Sequence, residues 1–240
     1  MAEDFADALA LLWGLKRPST RGPKAALNPA IITGAAIAVA DEQGLPGLTM
    51  QVVAERLSFT KMSLYRHVPG RAELVALMVD HAFGPAPEPA AGEWRPQLTA
   101  WADEFWRVVL RHPWLLAAMV GRRPLGPNEL AWTDHAVAAL DGTGLDGGER
   151  LDTVFTVAGH VRNTAQQLVT ADGTRREGGE AEFERALSGL LAEHRERYPA
   201  LVAATAESTP DQALAFGLDR ILDGVEWLIA RRGERPPDPV

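Results

Sequence analysis

The stretch from Leu48 to Leu77 most constrains how this chain can fold, because its pattern predicts two short helices joined by a tight turn. Thr49 and Thr60 stand where these helices begin, and a threonine hydroxyl there can accept a hydrogen bond from a free backbone N–H group of the first turn. Ala54 is small enough for the second helix to cross closely over the first. The residues expected to face inward are all apolar: Val52, Val53, Leu57, Leu64 and Val68.

The second helix, predicted from Lys61 to His67, presents polar and cationic side chains on its outer face. A plain core helix has no reason to carry such a set, although two short core helices remain the alternative interpretation. The run Leu-Tyr-Arg-His-Val, the Thr-Met pair that opens the first helix and the later Arg-Ala-Glu-Leu resemble the TetR family of bacterial transcriptional regulators. Ser58 departs from the glycine usual in that family, and a left-handed backbone there would cost about 1 kcal/mol.

The resemblance implies an all-α fold, with an N-terminal helix-turn-helix domain of three helices and a C-terminal helical domain for ligand binding and dimerisation. It implies a homodimeric repressor that binds a roughly palindromic operator in double-stranded DNA and is released by a small-molecule effector. The alternative function is a helical protein that binds small molecules without binding specific DNA.

The outward positions of the motif predict which residues contact DNA. Contacts to base edges are expected from Gln51, Lys61, Met62 and Ser63. Phosphate contacts that fix the register are expected from Thr49, Tyr65, His67 and Arg71. Thr60 and Arg66 complete the predicted set within the motif.

Charge is distributed unevenly along the chain. The total is −8, which by itself argues against binding to nucleic acid. From Lys16 to Arg71, however, eight Lys or Arg residues stand against three acidic residues, a net charge of +5, and residues 72–240 carry −10. A basic N-terminal part on an acidic body is typical of a DNA-binding protein with a separate second function.

Residues 1–27 form an N-terminal extension, with an amphipathic helix predicted over 3–15 and a basic arm after it. Two prolines and a glycine disfavour regular structure in the arm. Its four cations are Lys16, Arg17, Arg21 and Lys24. The arm is either a solvated linker or a segment that lies on phosphates or enters the minor groove.

Residues 28–84 are predicted to be the helix-turn-helix domain, which opens with a helix capped by Asn28. Three prolines between 84 and 92 cannot continue a helix and mark the boundary. Residues 93–240 are predicted to be the effector-binding and dimerisation domain. Its helices are expected near 93–111, 113–120, 127–140, 147–171, 180–197 and 211–231.

Tryptophans 94, 101, 106, 114 and 132 lie close together in the second domain, either as ordinary core or as the lining of a pocket for a small apolar or aromatic effector. The motif Gly-Arg-Arg-Pro over 121–124 matches the resembling family and sets the position of its effector site. The expected effector-binding residues are Trp101, Phe105, Met119, Trp132, His135, Leu151 and Phe155. Met119 stands where tetracycline-responsive members carry a metal-binding histidine, so a tetracycline–magnesium effector is not expected.

Neutral polar residues recur at helical spacing along the predicted helix 147–171: Thr153, Thr156, His160, Asn163 and Gln167. A solvated face usually carries Lys and Glu, so this stripe predicts a half-buried surface, either a pocket wall or a subunit interface. The last predicted helix, 211–231, has a broad apolar stripe. In the resembling family the last two long helices of each subunit form the dimer interface, so the resemblance implies a homodimer through these two.

Enzyme interpretations find little support. The letters from Gly142 to Gly147 match a dinucleotide-binding fingerprint, but a predicted helix precedes them where that motif requires a strand. No two histidines have helical metal-ligand spacing, so no metal site, cofactor or enzymatic activity is expected.

The longest apolar run, Ala30 to Ala40, is shorter than the ~20 residues that span a bilayer. With no cysteine and an acidic start, the chain is expected to be cytoplasmic, without a membrane partner.

Overall fold

The computed structural model describes residues 8–15, 27–121, 123–169, 180–207 and 213–233. Its helices are α1 (8–12), α2 (Pro29–Gly47), α3 (Met50–Arg56), α4 (Lys61–Tyr65), α5 (Arg71–Phe83), α6 (Trp94–Arg111), α7 (Leu115–Ala118), α8 (Pro127–Ala138), α9 (Gly147–Gln166), α10 (Glu180–Glu193), α11 (Pro199–Glu207) and α12 (Ala213–Gly233). No strand ladder occurs within the described ranges, and the predicted all-α fold is confirmed.

Three helices of the N-terminal unit, α2, α3 and α4, begin at the predicted caps, and α5 begins at Arg71 as predicted. The side chain of Asn28 accepts a hydrogen bond from the Ile31 N–H group at 2.9 Å. Thr49 caps α3 and Thr60 caps α4 in the same way, each accepting from a backbone N–H group of the first turn. These side chains satisfy donors that a short helix cannot satisfy internally, so local sequence sets where each helix starts.

A residue in the left-handed backbone conformation makes the turn between α3 and α4. Ser58 has φ of 59°, the conformation that the family's glycine would adopt without strain. Leu64 of α4 and Val53 of α3 are fully buried, which holds the two helices together. The helix predicted from Lys61 to His67 ends earlier, at Tyr65, because residues 66 and 67 turn the chain toward Pro69.

The body, α6 to α12, shares one continuous hydrophobic core with the N-terminal unit. Residues 84–93 between α5 and α6 are non-helical. The predicted helix 180–197 ends at Glu193, and α11, which was not predicted, begins at Pro199. Proline is favoured in the first turn of a helix because its fixed φ suits helical geometry and its missing N–H group costs nothing there.

α9 and α12 pack closely against each other where His160 of α9 meets α12. The His160 ring nitrogen Nε2 lies 2.9 Å from the carbonyl oxygen of Leu214. A Cβ atom on Gly217 would lie only 2.2 Å from that ring, so α12 needs a glycine at this position. His160 from the predicted polar stripe is therefore half-buried between two helices, whereas Asn163 on the same stripe is exposed.

The strain at Ser58 predicts the effect of a single substitution. We expect Ser58→Gly to raise the free energy of unfolding by about 1 kcal/mol, since glycine adopts a positive φ without the steric cost of a Cβ atom. Ser63→Gly within α4 is the matched control and should lower that free energy by about 0.5 kcal/mol. Urea denaturation measures both. A Ser58→Gly protein less stable than wild type would contradict the inference that the backbone is strained at Ser58.

Candidate nucleic-acid interface and effector cavity

The outer face of α4 carries most of the residues predicted to contact bases. Met62 is 70% exposed and Tyr65 is 36% exposed, while Leu64 between them is fully buried. The Lys61 ammonium nitrogen lies 5.7 Å from the centroid of the Tyr65 ring, at cation–π distance. Burial of Leu64 thus fixes α4 with Lys61 and Met62 pointing away from the core, and Arg66 is exposed just beyond it.

Some predicted DNA contacts already have partners within the chain. The Gln51 amide donates to the carboxylate of Glu55 at 2.6 Å. The hydroxyl oxygens of Thr60 and Ser63 lie 2.8 Å apart, so both hydroxyls help to cap α4. His67 is half-buried where the chain leaves α4. Gln51 keeps its second amide N–H group and its side-chain oxygen for a base edge.

Arg71 has a structural role that the sequence did not reveal. Its guanidinium donates from Nε to the Leu48 carbonyl at 3.0 Å and from Nη2 to the Leu45 carbonyl at 2.8 Å. These bonds tie the start of α5 to the segment just before α3. Two of its donors are therefore unavailable to a phosphate, although the side chain is exposed. The predicted arm contacts Lys16, Arg17, Arg21 and Lys24 lie outside the described residues.

A buried carboxylate joins the N-terminal unit to the body. Asp80 of α5 is 7% exposed, and its Oδ1 accepts hydrogen bonds from the backbone N–H groups of Asn128 at 2.8 Å and Glu129 at 3.2 Å. The Asn128 side-chain amide donates to Asp80 Oδ2 and to the Asp80 carbonyl. Burial raises the pKa of the Asp80 carboxyl above its ordinary value, and the hydrogen bonds from Glu129 and Asn128 oppose that shift.

This contact has the geometry of a helix cap supplied by another helix. Gly126, at the N-cap position of α8, has no side chain to offer. A Cβ atom there would lie 2.1 Å from Asp80 Oδ1. Asp80 therefore occupies the space of the missing cap and satisfies the free N–H groups at the helix N-terminus. In the sequence, Asp80 directly follows the apolar run 74–79 of α5, and Gly-Pro-Asn-Glu follows much later at 126–129.

An aromatic cluster lies beside this cap and contains three residues predicted to bind effector. The ring of Phe83 stacks on Phe105 with centroids 5.7 Å apart and meets Trp132 edge-on at 5.4 Å. Trp132 donates from Nε1 to the Gly84 carbonyl at 3.1 Å, which holds the chain that leaves α5. Trp101 donates to the Trp132 carbonyl at 2.9 Å.

A cavity of about 200 Å³ lies next to this cluster, between the segment that joins α5 to α6 and the helices α6 and α8. Its lining residues are Pro87, Glu88, Ala90, Gln97, Ala100, Trp101, Glu104 and His135. Of the predicted effector residues, Trp101 and His135 line it, whereas Phe105 and Trp132 are buried in the aromatic cluster behind it. The sequence did not point to the linker residues, because nothing local shows that they fold back over α6.

Leu151 and Phe155, also predicted to bind effector, do not line this cavity. They are 42% and 59% exposed on the outer face of α9, because Val154 and Val157 face the core instead. Met119 is half-buried against the core at the end of α7 and does not line the cavity either. The seven predicted effector residues therefore do not all lie at this cavity.

Three further findings concern the described part of the chain. None of its helices is long and apolar enough to cross a membrane. No group of three or more His, Asp or Glu side chains among the described residues is arranged to hold a metal ion. The segment from Gly142 to Gly147 forms the turn between α8 and α9, so a helix precedes it as expected.

An exposed recognition helix on a helix-turn-helix unit, joined to a helical body with its own cavity, defines a DNA-binding transcriptional regulator of two-domain type. The family model for bacterial regulatory proteins of the tetR family matches residues 32–78, and that for the tetracyclin repressor-like C-terminal domain matches residues 86–229. The chain belongs to the TetR family. The prediction of a DNA-binding transcriptional regulator is confirmed.

Individual relatives agree with this assignment. The HTH-type transcriptional repressor DrrR1 of Streptomyces coeruleorubidus is 40% identical over 247 residues, covering 98% of this chain and 90% of the relative. The class A tetracycline repressor of Escherichia coli is 26% identical and covers 88% of this chain and 96% of its own length. The structure of apo ActR from Streptomyces coelicolor, 28% identical, superposes with a TM-score of 0.73 and covers 88% of this chain and 99% of the ActR chain. The structure of ActR in complex with actinorhodin superposes with a TM-score of 0.72 and covers 83% of this chain and 95% of the ActR chain.

The cap at Asp80 predicts a measurable loss of stability. We expect Asp80→Ala to lower the free energy of unfolding by about 2–3 kcal/mol, because it leaves the N–H groups of Asn128 and Glu129 buried without an acceptor. Asp80→Asn keeps an acceptor oxygen and should cost about 1 kcal/mol. The control is Asp134→Ala, an exposed acidic residue of α8. Equal effects of Asp80→Ala and Asp134→Ala in urea denaturation would refute the cap.

Proposed function

We propose that this regulator is a homodimeric repressor that binds a roughly palindromic operator and is released by a small-molecule effector. The observation that carries the DNA-binding part is α4, which buries Leu64 and exposes Lys61, Met62 and Arg66 together. A helix held in this way can enter the major groove, where side chains distinguish base pairs by their edges. The relative DrrR1, named as a repressor, supports the direction of control.

Within this interface we assign two kinds of contact. Lys61 and Met62 reach base edges, joined by the remaining amide groups of Gln51 and by the Ser63 hydroxyl. Tyr65, His67, Thr49 and the free donors of Arg71 fix the register on phosphates. Thr60 contributes by capping α4, and Arg66 by its charge. The basic arm adds positive charge to the N-terminal part of the chain, through Lys16, Arg17, Arg21 and Lys24.

The proposed dimer forms through α9 and α12. Leu151 and Phe155 of α9 and Phe216 and Trp227 of α12 are large apolar side chains that are each at least 42% exposed in the single chain. The cross-contact at His160 holds the two helices as one unit. An apolar surface of this kind, carried by a rigid helix pair, supports association with a second copy by twofold symmetry.

The proposed effector acts through the junction between body and N-terminal unit. The cavity is lined on one side by the segment that leaves α5, and Trp132 and Asp80 hold α5 on α8. A ligand that favours a different position of this segment would change the spacing of the two α4 helices in the dimer. Such coupling between two sites typically amounts to ~1–3 kcal/mol.

The DNA interface is tested by fluorescence anisotropy of the full chain on its own upstream intergenic DNA and on random duplex, over a range of salt concentrations. We expect Tyr65→Ala to weaken binding to both duplexes, and Lys61→Ala to reduce mainly the preference for the specific duplex by ~1–3 kcal/mol. Gln51→Ala should also reduce the preference for the specific duplex. Leu130→Ala, on the exposed face of α8, is the control. Weak, sequence-blind binding by the wild-type chain would overturn the proposal.

The dimer is tested by analytical ultracentrifugation. We expect wild type to sediment at twice the mass of one chain, and Phe155→Glu to shift the population toward single chains, because a carboxylate cannot be desolvated in an apolar interface without large cost. Leu130→Glu places the same charge on an exposed leucine of α8 and should leave the dimer intact. A dimer equally stable in both variants would exclude this surface.

A further inference from the structure

The cavity beside the linker is small and has a mixed lining. Its volume of about 200 Å³ corresponds to six or seven waters at ~30 Å³ each, which is below the ~300–1,000 Å³ of sites that enclose drug-sized ligands. It therefore fits a compact group, or one end of a longer molecule. Its position between the linker, α6 and α8 makes any occupant a direct contact of the chain that leaves α5.

The polar lining of the cavity favours a positive charge. Glu88 of the linker and Glu104 of α6 both contribute carboxylates. Gln97 donates its amide N–H to the Gly92 carbonyl at 2.9 Å, so its oxygen is the atom left to accept a hydrogen bond. Among the described residues that line the cavity there is no Lys or Arg; Arg107, outside it, pairs with Glu104. A charged amine offers donors to Glu88 and to the Gln97 oxygen, and it can share the Glu104 carboxylate with Arg107.

The apolar lining favours a planar ring. The indole N–H group of Trp101 donates to the Trp132 carbonyl, so the indole can offer the cavity only carbon surface. Ala100 and Pro87 add apolar surface beside it. Aromatic rings attract both other rings and cations. His135 is the remaining titratable group, and a neutral imidazole can accept a hydrogen bond from the same amine.

We infer that this cavity binds an effector that carries a cationic amine next to a planar aromatic ring. The inference rests on the proposed effector-responsive function and defines its ligand class. The amine lies between the carboxylates of Glu88 and Glu104, and the ring lies along Trp101. Binding draws Glu88, and with it the linker, toward α6. The same movement pulls on the carbonyls of residues 84 and 85 that Trp132 holds.

The test uses three naphthalene compounds that differ in charge: 1-naphthylmethylamine, 1-naphthylmethanol and 1-naphthoate. Isothermal titration calorimetry with the full chain should show the amine binding about tenfold more tightly than the alcohol, and the acid more weakly than either. Glu104→Gln and Glu88→Gln should each reduce the affinity for the amine severalfold and leave that for the alcohol unchanged. Glu93→Gln, an exposed carboxylate at the start of α6, is the matched control.

Ala100→Leu places extra side-chain volume at the cavity wall and should abolish binding of the amine. Equal affinities for the three compounds would overturn the inferred class, and a preference for the amine that survives both glutamine substitutions would place the cation elsewhere. Binding that survives Ala100→Leu would overturn the site. The same samples are tested for specific DNA binding without any naphthalene compound. Specific DNA binding with no preference for the amine overturns this inference alone, whereas amine preference without specific DNA binding overturns the proposed function.

Discussion

The carboxylate of Asp80 supplies the cap that α8 lacks, and this contact sets how the N-terminal unit meets the body. Gly126 has no side chain and Pro127 has no N–H group, so the first donors of α8 are those of Asn128 and Glu129. Their acceptor comes from α5. A buried carboxylate surrounded by donors tolerates little displacement, because each lost hydrogen bond leaves a polar group without solvent. This short-range contact therefore couples the two units.

α8 connects three parts of the molecule. Its N-terminus is capped by α5, Trp132 in its middle binds the carbonyls that follow α5, and His135 one turn later lines the cavity. In the proposed mechanism, a change in the cavity reaches α5 through α8. Arg71 binds the segment before α3, so it links the start of α5 to the helix-turn-helix. These contacts give the proposed effector response a physical route from the body to α4.

Charge separates the two functions along the chain. The segment from Lys16 to Arg71 is positive and the remainder is strongly negative. The positive charge supports binding to phosphates, while the acidic body adds no affinity for DNA and supplies Glu88 and Glu104 to the cavity. A ligand that is attracted to the body by its positive charge would thus not compete with DNA for the same residues.

The helix-turn-helix could be predicted because its signals are local: the caps at Thr49 and Thr60 and the buried Leu64 all act within one or two turns. For the effector site, a helical period places Leu151 with Val154 on one side of α9, but it does not show that Leu151 lies at the exposed edge of that side. Three features became visible only in the folded chain: the exposure of Leu151, the position of Glu88 at the cavity and the capping of α8 by Asp80. These depend on contacts between residues far apart in the chain, for which the local pattern carries no physical signal.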